Sequence, residues 1–135
     1  MTTDLLALYG TLMRGEGGQE RLGVTGGLEL VGPCVLEGTL VELGWYPGLL
    51  LEPRGRVVGE LYRIVDLAVL ELIDRYEEFD PAAPERSLYV RTLVGTLEPG
   101  AQAWTYVFTG PVPPGSIIAS GDWRAHRRAI RRRSP

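Results

Sequence analysis

Short apolar runs separated by glycine and proline recur along the chain, and their lengths predict strands more often than helices. The unbroken run Leu5–Tyr9 stops at a glycine and is typical of a strand buried on both faces. Val57–Val65 predicts another strand. Two further runs, 88–97 and 103–108, alternate in polarity and flank a turn at 98–101, so that they predict a hairpin.

The stretch Leu28–Leu43 is rich in valine and leucine but contains Gly32 and Gly38. Glycines inside such a stretch predict either one bent strand or two strands that meet at a bulge. A turn is predicted at Trp45–Gly48, before the apolar run 49–51.

Three segments have the pattern of helices. One helical turn is predicted at 19–22, and a longer helix is predicted from a cap at Asp66 to about Phe79. The last helix is predicted over 123–130, with Asp122 as its cap. Several strands with two or three helices, in no regular β-α-β order, predict an α+β fold.

The chain has 135 residues, of which 44% are apolar and 23% charged. These values are typical of one compact domain and exclude disordered, collagen-like and coiled-coil chains. The single cysteine, Cys34, has no internal partner for a disulfide, which indicates a reducing compartment. We find no basic leader and no run of about 20 apolar residues that would span a bilayer. A cytoplasmic location is therefore predicted.

Charge is distributed unevenly along the chain. Residues 1–123 contain eight arginines and all the acidic residues, whereas 124–135 contain six arginines and no acid. We interpret 1–123 as a single domain and 124–135 as an arginine-rich C-terminal helix or tail of that domain. Such a tail can contact nucleic acid or a membrane, but it can also lie against an acidic body. We favour the second interpretation and expect neither a membrane nor a nucleic-acid partner.

The residue inventory excludes several kinds of catalytic site. The only histidine, His126, lies in the basic tail, so that histidine-rich zinc sites and most serine or cysteine nucleophile arrangements would depend on it. A P-loop is excluded because the chain has no lysine, and no nucleophile-elbow motif occurs. Catalysis would therefore depend on carboxylates and backbone donors.

The helix predicted after Asp66 places one carboxylate among apolar side chains. At about 100° per residue, five apolar positions share one side of this helix: Leu72, Tyr76, Val69, Ile73 and Leu70. Four polar positions share the other side: Glu71, Asp74, Arg75 and Glu78. Glu77 falls between Ile73 and Leu70, inside the apolar arc. Because burial raises the pKa of an unpaired carboxylate and suits it to proton transfer, Glu77 is the candidate catalytic acid/base.

Two other interpretations of this carboxylate are open. Glu77 can lie in a frayed last turn or pair with an arginine such as Arg91. Alternatively, four acidic residues of the segment can bind a hard cation, although their spacing lacks the glycine of a calcium loop. These four residues are Asp74, Glu77, Glu78 and Asp80.

A second candidate site follows the first buried strand. The segment Tyr9–Leu12 contains a glycine turn, whose backbone N–H groups have no strand partner and can bind a carboxylate or an oxyanion. The alternative is an ordinary turn that ends the strand, with Tyr9 in the core.

Seven short segments, taken in order over nearly the whole chain, resemble the gamma-glutamylcyclotransferase-like family. They are Tyr9-Gly10-Thr11-Leu12, Tyr46-Pro47-Gly48-Leu49, Gly59-Glu60-Leu61-Tyr62, Leu72-Ile73-Asp74-Arg75-Tyr76-Glu77, Tyr89-Val90-Arg91, Ala103-Trp104-Thr105-Tyr106 and Gly121-Asp122-Trp123. Each segment alone is a weak signal, whereas their order and spacing make the combination specific.

The resemblance implies a small mixed β-barrel with two or three flanking helices and a cavity lined by the Tyr9–Leu12 loop. It also implies that Glu77 is the acid/base of a reaction that cyclises a small γ-glutamyl compound to 5-oxoproline. The substrate's own α-amine attacks its γ-carbonyl in such a reaction and an amine leaves, so that neither a metal nor an organic cofactor is needed. The backbone of Gly10, Thr11 and Leu12 would hold the substrate or its oxyanion.

The remaining candidate substrate-binding residues are Tyr9, Pro47, Gly48 and Tyr106, although a core role is open for Tyr106. Family members usually have glycine after the catalytic glutamate, whereas this chain has Glu78, which adds a negative charge beside the site. The alternative function is therefore a binding module that retains the cavity for a small amino-acid-like ligand without turnover. No motif identifies the leaving amine or the oligomeric state.

Overall fold

The computed structural model describes residues 3–133 and has the predicted α+β architecture. The strands in this range are β1 (Leu5–Leu8), β2 (Leu28–Glu37), β3 (Thr39–Glu42), β4 (Pro47–Leu50), β5 (Arg56–Ile64), β6 (Tyr89–Gly95) and β7 (Gln102–Phe108). The helices are α1 (Gly18–Leu22), α2 (Ala68–Tyr76) and α3 (Trp123–Arg133), with single 3₁₀ turns at Thr25–Gly27 and Pro84–Arg86. The prediction of a mixed fold with few helices is confirmed.

Strand β1 lies at the centre of a five-stranded mixed sheet with the order β2-β5-β1-β7-β6. It pairs antiparallel with β5 and parallel with β7, where Leu6 lies opposite Trp104. This central position explains why β1 is an unbroken apolar run, since elements cover both of its faces. Strands β6 and β7 form the predicted hairpin.

The two edges of this sheet approach each other without closing it. The Val35 N–H of β2 donates to the Glu98 carbonyl at 2.7 Å, and the Leu97 N–H donates back to Val35 at 2.8 Å. These bonds join β2 to the turn after β6 rather than to β6 itself. The term barrel therefore describes the sheet only loosely.

The Leu28–Leu43 stretch forms two strands, β2 and β3, as one of the two interpretations predicted. The pairing of β2 with β5 shifts between Leu30 and Gly32, so that the irregularity lies inside β2 rather than at the junction. The turn predicted at Trp45–Gly48 is too long, because its last two residues already begin β4. Strand β4 pairs with β3 in a separate two-stranded sheet. Pro47 is tolerated in β4 because the first residue of such an edge strand need not donate a backbone N–H to the neighbouring strand.

Helix α2 ends at Tyr76, three residues before the predicted end at Phe79. The chain leaves the helix through Glu78, which has a left-handed backbone with φ of 55°. The Phe79 N–H donates to the Asp74 carbonyl at 2.8 Å, and the Glu78 N–H donates to the Arg75 carbonyl at 3.1 Å. This pair of bonds is a Schellman motif, which closes a helix and prevents a further turn.

The predicted capping carboxylates of α2 and α3 are both used. Asp66 accepts a hydrogen bond from the Ala68 N–H at 3.0 Å, although the cap position itself is one residue later. Asp122 accepts from the Ala125 N–H at 3.1 Å. Each bond satisfies a donor that the first helical turn would otherwise leave free.

Helix α3 lies against the body of the protein. Trp123 is 1% exposed, and the Arg124 guanidinium is 3.4 Å from a carboxylate oxygen of Glu16 and 3.2 Å from one of Glu60. The first arginine of the tail thus contacts acidic residues of the body. The assignment of 124–135 to the same domain remains a prediction, and residues 134–135 lie outside the described residues.

Between residues 3 and 133, no helix has both the length and the apolar composition needed to cross a membrane.

Candidate active site

A cavity of about 400 Å³ opens beside the end of β1 and the end of α2. It is lined by four parts of the chain: 8–12, 45–47, 75–78, and the side chains of Leu88, Tyr89 and Tyr106. The fold thus brings together Glu77, the Tyr9–Leu12 loop, Pro47 and Tyr106 from the candidate set. Gly48 does not line the cavity and packs instead against Phe108, where an added Cβ would meet the Phe108 Cβ at 2.8 Å.

Tyr9 forms part of the cavity wall but has little freedom to act on a ligand through its hydroxyl. This hydroxyl donates to the Tyr106 carbonyl at 2.7 Å and accepts from the Leu49 N–H at 3.1 Å. The side chain is buried, and burial raises the pKa of Tyr9 well above its usual range. Its hydroxyl therefore joins β4 to β7, as the core interpretation predicts.

The turn after Tyr9 leaves three backbone donors available. Within residues 3–133, no acceptor is bonded to the N–H groups of Gly10, Thr11 or Leu12, and all three residues line the cavity. The turn itself is held by other bonds: the Met13 N–H donates to Gly10 at 2.9 Å and the Gly18 N–H donates to Thr11 at 3.0 Å. Free N–H groups on an ordered turn are suited to an anion or a developing oxyanion.

Close packing requires a glycine at the first of these positions. A Cβ on Gly10 would lie 2.6 Å from the Pro47 Cγ, so that the backbone of the turn packs directly against the proline ring at the start of β4. The hydroxyls of Thr11 and Tyr76 are 2.8 Å apart and join the turn to the end of α2. The cavity walls are thus tied together on two sides.

Glu77 has a carboxylate without a partner. The residue is partly exposed and lines the cavity, and in the part of the chain that the structure describes no side chain or backbone group forms a hydrogen bond or ion pair with its carboxylate. Burial raises the pKa of Glu77 to about 8. A carboxyl group with this pKa exchanges its proton readily near neutral pH, as a general acid/base must.

The buried arc of α2 is rotated from the predicted one. Leu72, predicted among the apolar positions, is 36% exposed, whereas Asp74, predicted on the polar side, is 6% exposed. Asp74 is buried because two side chains compensate its charge: Arg91 donates to its two oxygens at 3.0 and 3.3 Å, and Tyr106 donates at 2.6 Å. The helical periodicity could not reveal this compensation, because Arg91 lies on β6 and Tyr106 on β7, far from α2 in the sequence.

Both alternative interpretations of Glu77 that invoked a charged partner are wrong in the described structure. Arg91 pairs with Asp74 and not with Glu77. Residues 3–133 also contain no group of three acidic, histidine or cysteine side chains that could hold a metal ion, which contradicts the alternative of a cation site at Asp74, Glu77, Glu78 and Asp80.

Several residues of the cavity were not predicted. Tyr89 donates its hydroxyl to the Pro47 carbonyl at 2.7 Å, and Trp45, 60% exposed, lies edge-on to the Tyr46 ring at the rim. Arg75 is an exposed lining residue, and so is Glu78, whose charge was expected beside the site from the sequence. Tyr46 and Tyr89 belonged to the segments of resemblance, but no local pattern indicated that they face the same space as Glu77.

These features define a small α+β protein with a candidate acid/base site for a small molecule. Comparison with known proteins agrees with the class: the model of the family described as gamma-glutamyl cyclotransferase, AIG2-like, matches residues 6–125. The chain therefore belongs to the AIG2-like gamma-glutamyl cyclotransferase family.

Individual relatives support the same assignment. The chain is similar to the gamma-glutamylcyclotransferase family protein ytfP of Citrobacter rodentium, with 33% identity over 86% of this chain and 91% of that protein. The solution structure of ytfP from Escherichia coli is similar with a TM-score of 0.66 and 31% identity, over 91% of this chain and 98% of that one. A crystal structure of an AIG2-like protein from Mus musculus has a TM-score of 0.63 and 26% identity, over 84% and 82% of the two chains.

Proposed function

We propose that this protein cyclises the γ-glutamyl group of a small amide or peptide to 5-oxoproline and releases the amine. The observation that carries the proposal is Glu77, an unpartnered carboxyl with a pKa raised to about 8, in a cavity that also contains free backbone donors. Family membership supports the reaction class.

The reaction suits a site that mainly positions its substrate. The nucleophile and the electrophile belong to one molecule, and well-oriented intramolecular reactions reach effective molarities of about 10⁵–10⁸ M. The cavity need only hold the folded conformer, in which the α-amine approaches the γ-carbonyl.

Proton transfer is assigned to Glu77. Its carboxylate takes a proton from the α-ammonium, and the free amine attacks the γ-carbonyl carbon to form the C–N bond of the ring. The N–H groups of Gly10, Thr11 and Leu12 stabilise the oxyanion of the tetrahedral intermediate. Glu77 then gives this proton to the leaving nitrogen as the original C–N bond breaks. The ring nitrogen loses its second proton through Glu77 to the released amine, which departs as an ammonium ion. No redox change occurs, and no metal or organic cofactor enters the scheme.

The test is 5-oxoproline release from γ-glutamyl dipeptides, amides and isopeptides, measured for the wild type and for Glu77→Gln. We expect the variant to lose at least about 100-fold in kcat/KM, because it keeps the size of the side chain and loses the titrating group. The exposed Glu71 of the same helix provides the matched control, and Glu71→Gln should release product as the wild type does.

Two outcomes would contradict the proposal in different ways. Equal release by the wild type and Glu77→Gln would mean that another residue transfers the proton. Binding of the compounds without 5-oxoproline would favour the second candidate, a binding module, which the negative charge of Glu78 at the cavity favours. The release assay also identifies the leaving amine through the best substrate.

We place the protein in the cytoplasm, where the buried free thiol of Cys34 would stay reduced.

A further inference from the structure

Three side chains from different elements meet at the cavity wall, which Tyr106 itself lines, and form what we call the Tyr106 cluster: Tyr106 of β7, Asp74 of α2 and Arg91 of β6. The Tyr106 hydroxyl donates to the Asp74 Oδ1 at 2.6 Å, and the same oxygen accepts from the Arg91 Nε at 3.0 Å. The second Asp74 oxygen accepts from Arg91 at 3.3 Å.

The Arg91 guanidinium is itself held between aromatic rings. It lies 4.9 Å from the centre of the Trp104 ring and 5.8 Å from that of Phe79. Because the guanidinium and the carboxylate neutralise each other, the cluster adds no net charge beside Glu77. The pair is therefore suited to orienting a neighbouring group rather than to transferring a proton.

The arrangement settles which way the Tyr106 hydroxyl bonds. Its hydrogen is committed to Asp74, and no group in residues 3–133 donates to its oxygen. Burial, together with the bond to Asp74, raises the pKa of Tyr106 far above its usual range, so that the hydroxyl keeps its proton. A hydroxyl that donates to a carboxylate becomes a stronger acceptor, because hydrogen bonds in a chain polarise one another.

We infer that the Tyr106 oxygen accepts a hydrogen bond from the α-amine of the γ-glutamyl group, with Asp74 and Arg91 as the positioning residues that orient it. The inference rests on the proposed function and deepens it. The cavity then has donors on one wall, at Gly10–Leu12, and acceptors on another, at Glu77 and Tyr106. One amine N–H is held by Tyr106 while Glu77 removes a second proton, and the nitrogen lone pair is left for the γ-carbonyl.

Ligand binding tests this inference separately from catalysis. The Glu77→Gln background prevents consumption of the ligand, and two ligands are compared by calorimetry: γ-glutamyl-alanine and N-glutaryl-alanine, which lacks only the α-amine. We expect Glu77→Gln to bind the amine-bearing ligand about tenfold more tightly, since a hydrogen bond to a charged group has this effect. Adding Tyr106→Phe should abolish that preference and leave the affinity for N-glutaryl-alanine unchanged.

The matched control is Tyr62, a buried tyrosine outside the cavity whose hydroxyl donates to Glu60 at 2.8 Å, while Glu60 also pairs with Arg124. Adding Tyr62→Phe should leave the preference intact. Asp74→Asn is a second variant, which keeps the hydroxyl but weakens it as an acceptor, and it should reduce the preference even if Tyr106→Phe does not fold.

The inference is overturned if Glu77→Gln shows no preference, or if the preference persists in Tyr106→Phe. Loss of the preference in Tyr89→Phe, with the preference retained in Tyr106→Phe, would assign the amine to a different cavity tyrosine and would also overturn the inference. The proposed function fails by a different result, the absence of 5-oxoproline from the wild type, which leaves the binding preference measurable.

Discussion

Asp74 and Glu77 lie three residues apart at the end of α2, and the fold gives their carboxylates opposite surroundings. Asp74 accepts hydrogen bonds from Arg91 and Tyr106 and has a cation at 3.0 Å. Glu77 has no such partner among the described residues, and burial raises its pKa to about 8. Two carboxylates of one helical turn thus divide their roles: one stabilises the structure, and the other is available for chemistry.

The raised pKa of Glu77 predicts a pH-dependent stability. Between its ordinary pKa of 4.5 and about 8, the folded state keeps the proton that the unfolded state loses, so that wild-type stability falls as the pH rises. The side chain that replaces Glu77 in the Glu77→Gln variant does not titrate, so the free energy of unfolding of this variant should rise above that of the wild type. The difference should grow by up to about 1.4 kcal/mol for each pH unit across this window. Urea unfolding at several pH values measures the difference.

Below the window both side chains are neutral, and the two proteins should unfold at similar urea concentrations. Glu71→Gln, on the exposed side of α2, controls for the loss of one carboxylate from this helix. A constant difference between Glu77→Gln and the wild type at every pH would show that the Glu77 pKa is not raised by folding.

Removal of Arg91 should destabilise the protein strongly. Its side chain is 18% exposed and that of Asp74 is 8% exposed, so Arg91→Gln leaves a carboxylate buried without its cation. Breaking a buried pair in this way costs about 3–5 kcal/mol. The control is Arg63→Gln, which breaks pairs with Asp4 and Glu29 at the surface and should cost less than about 1 kcal/mol. Equal losses in the free energy of unfolding would refute the structural role of the Asp74–Arg91 pair.

Glu78 should be replaceable by glycine with a gain in stability. Its φ of 55° lies in the left-handed region, which costs a residue with a side chain about 1–2 kcal/mol and which glycine adopts freely. Glu78→Gly should therefore raise the melting temperature, although the greater freedom of glycine in the unfolded chain offsets part of the gain. Glu78→Gln removes the charge and keeps the strain, so it should not raise the melting temperature. A gain in Glu78→Gln of the same size would attribute the effect to charge instead.

The contact between Gly10 and Pro47 predicts a purely steric effect. In Gly10→Ala, the new Cβ would lie 2.6 Å from a rigid proline ring, so the turn must move and the free N–H groups move with it. We expect a loss of about 1–3 kcal/mol in stability, as for other overpacked sites, together with slower 5-oxoproline release. Gly26→Ala is the control, because nothing lies within 4 Å of its added Cβ. If Gly10→Ala folds and turns over like the control, the close contact does not shape the cavity.

The glycine that the family resemblance leads us to expect after Glu77 has a physical explanation in the structure. The position is the left-handed residue of the Schellman motif that ends α2, so backbone geometry favours glycine there whatever the substrate. The sequence could show the departure at Glu78 as an added charge, but only the helix end shows it as a conformational feature.

Local patterns in the sequence predicted most of the strands, the β6–β7 hairpin and the capping carboxylates, because each depends on residues a few positions apart. Only the tertiary structure decided that Asp74 is buried. Its partners Arg91 and Tyr106 lie 17 and 32 residues along the chain, and the order of the strands brings them to it. The same long-range packing left the Glu77 carboxylate without an ion-pair partner among the described residues. Arg91, which the sequence offered as a partner for Glu77, pairs with Asp74 instead.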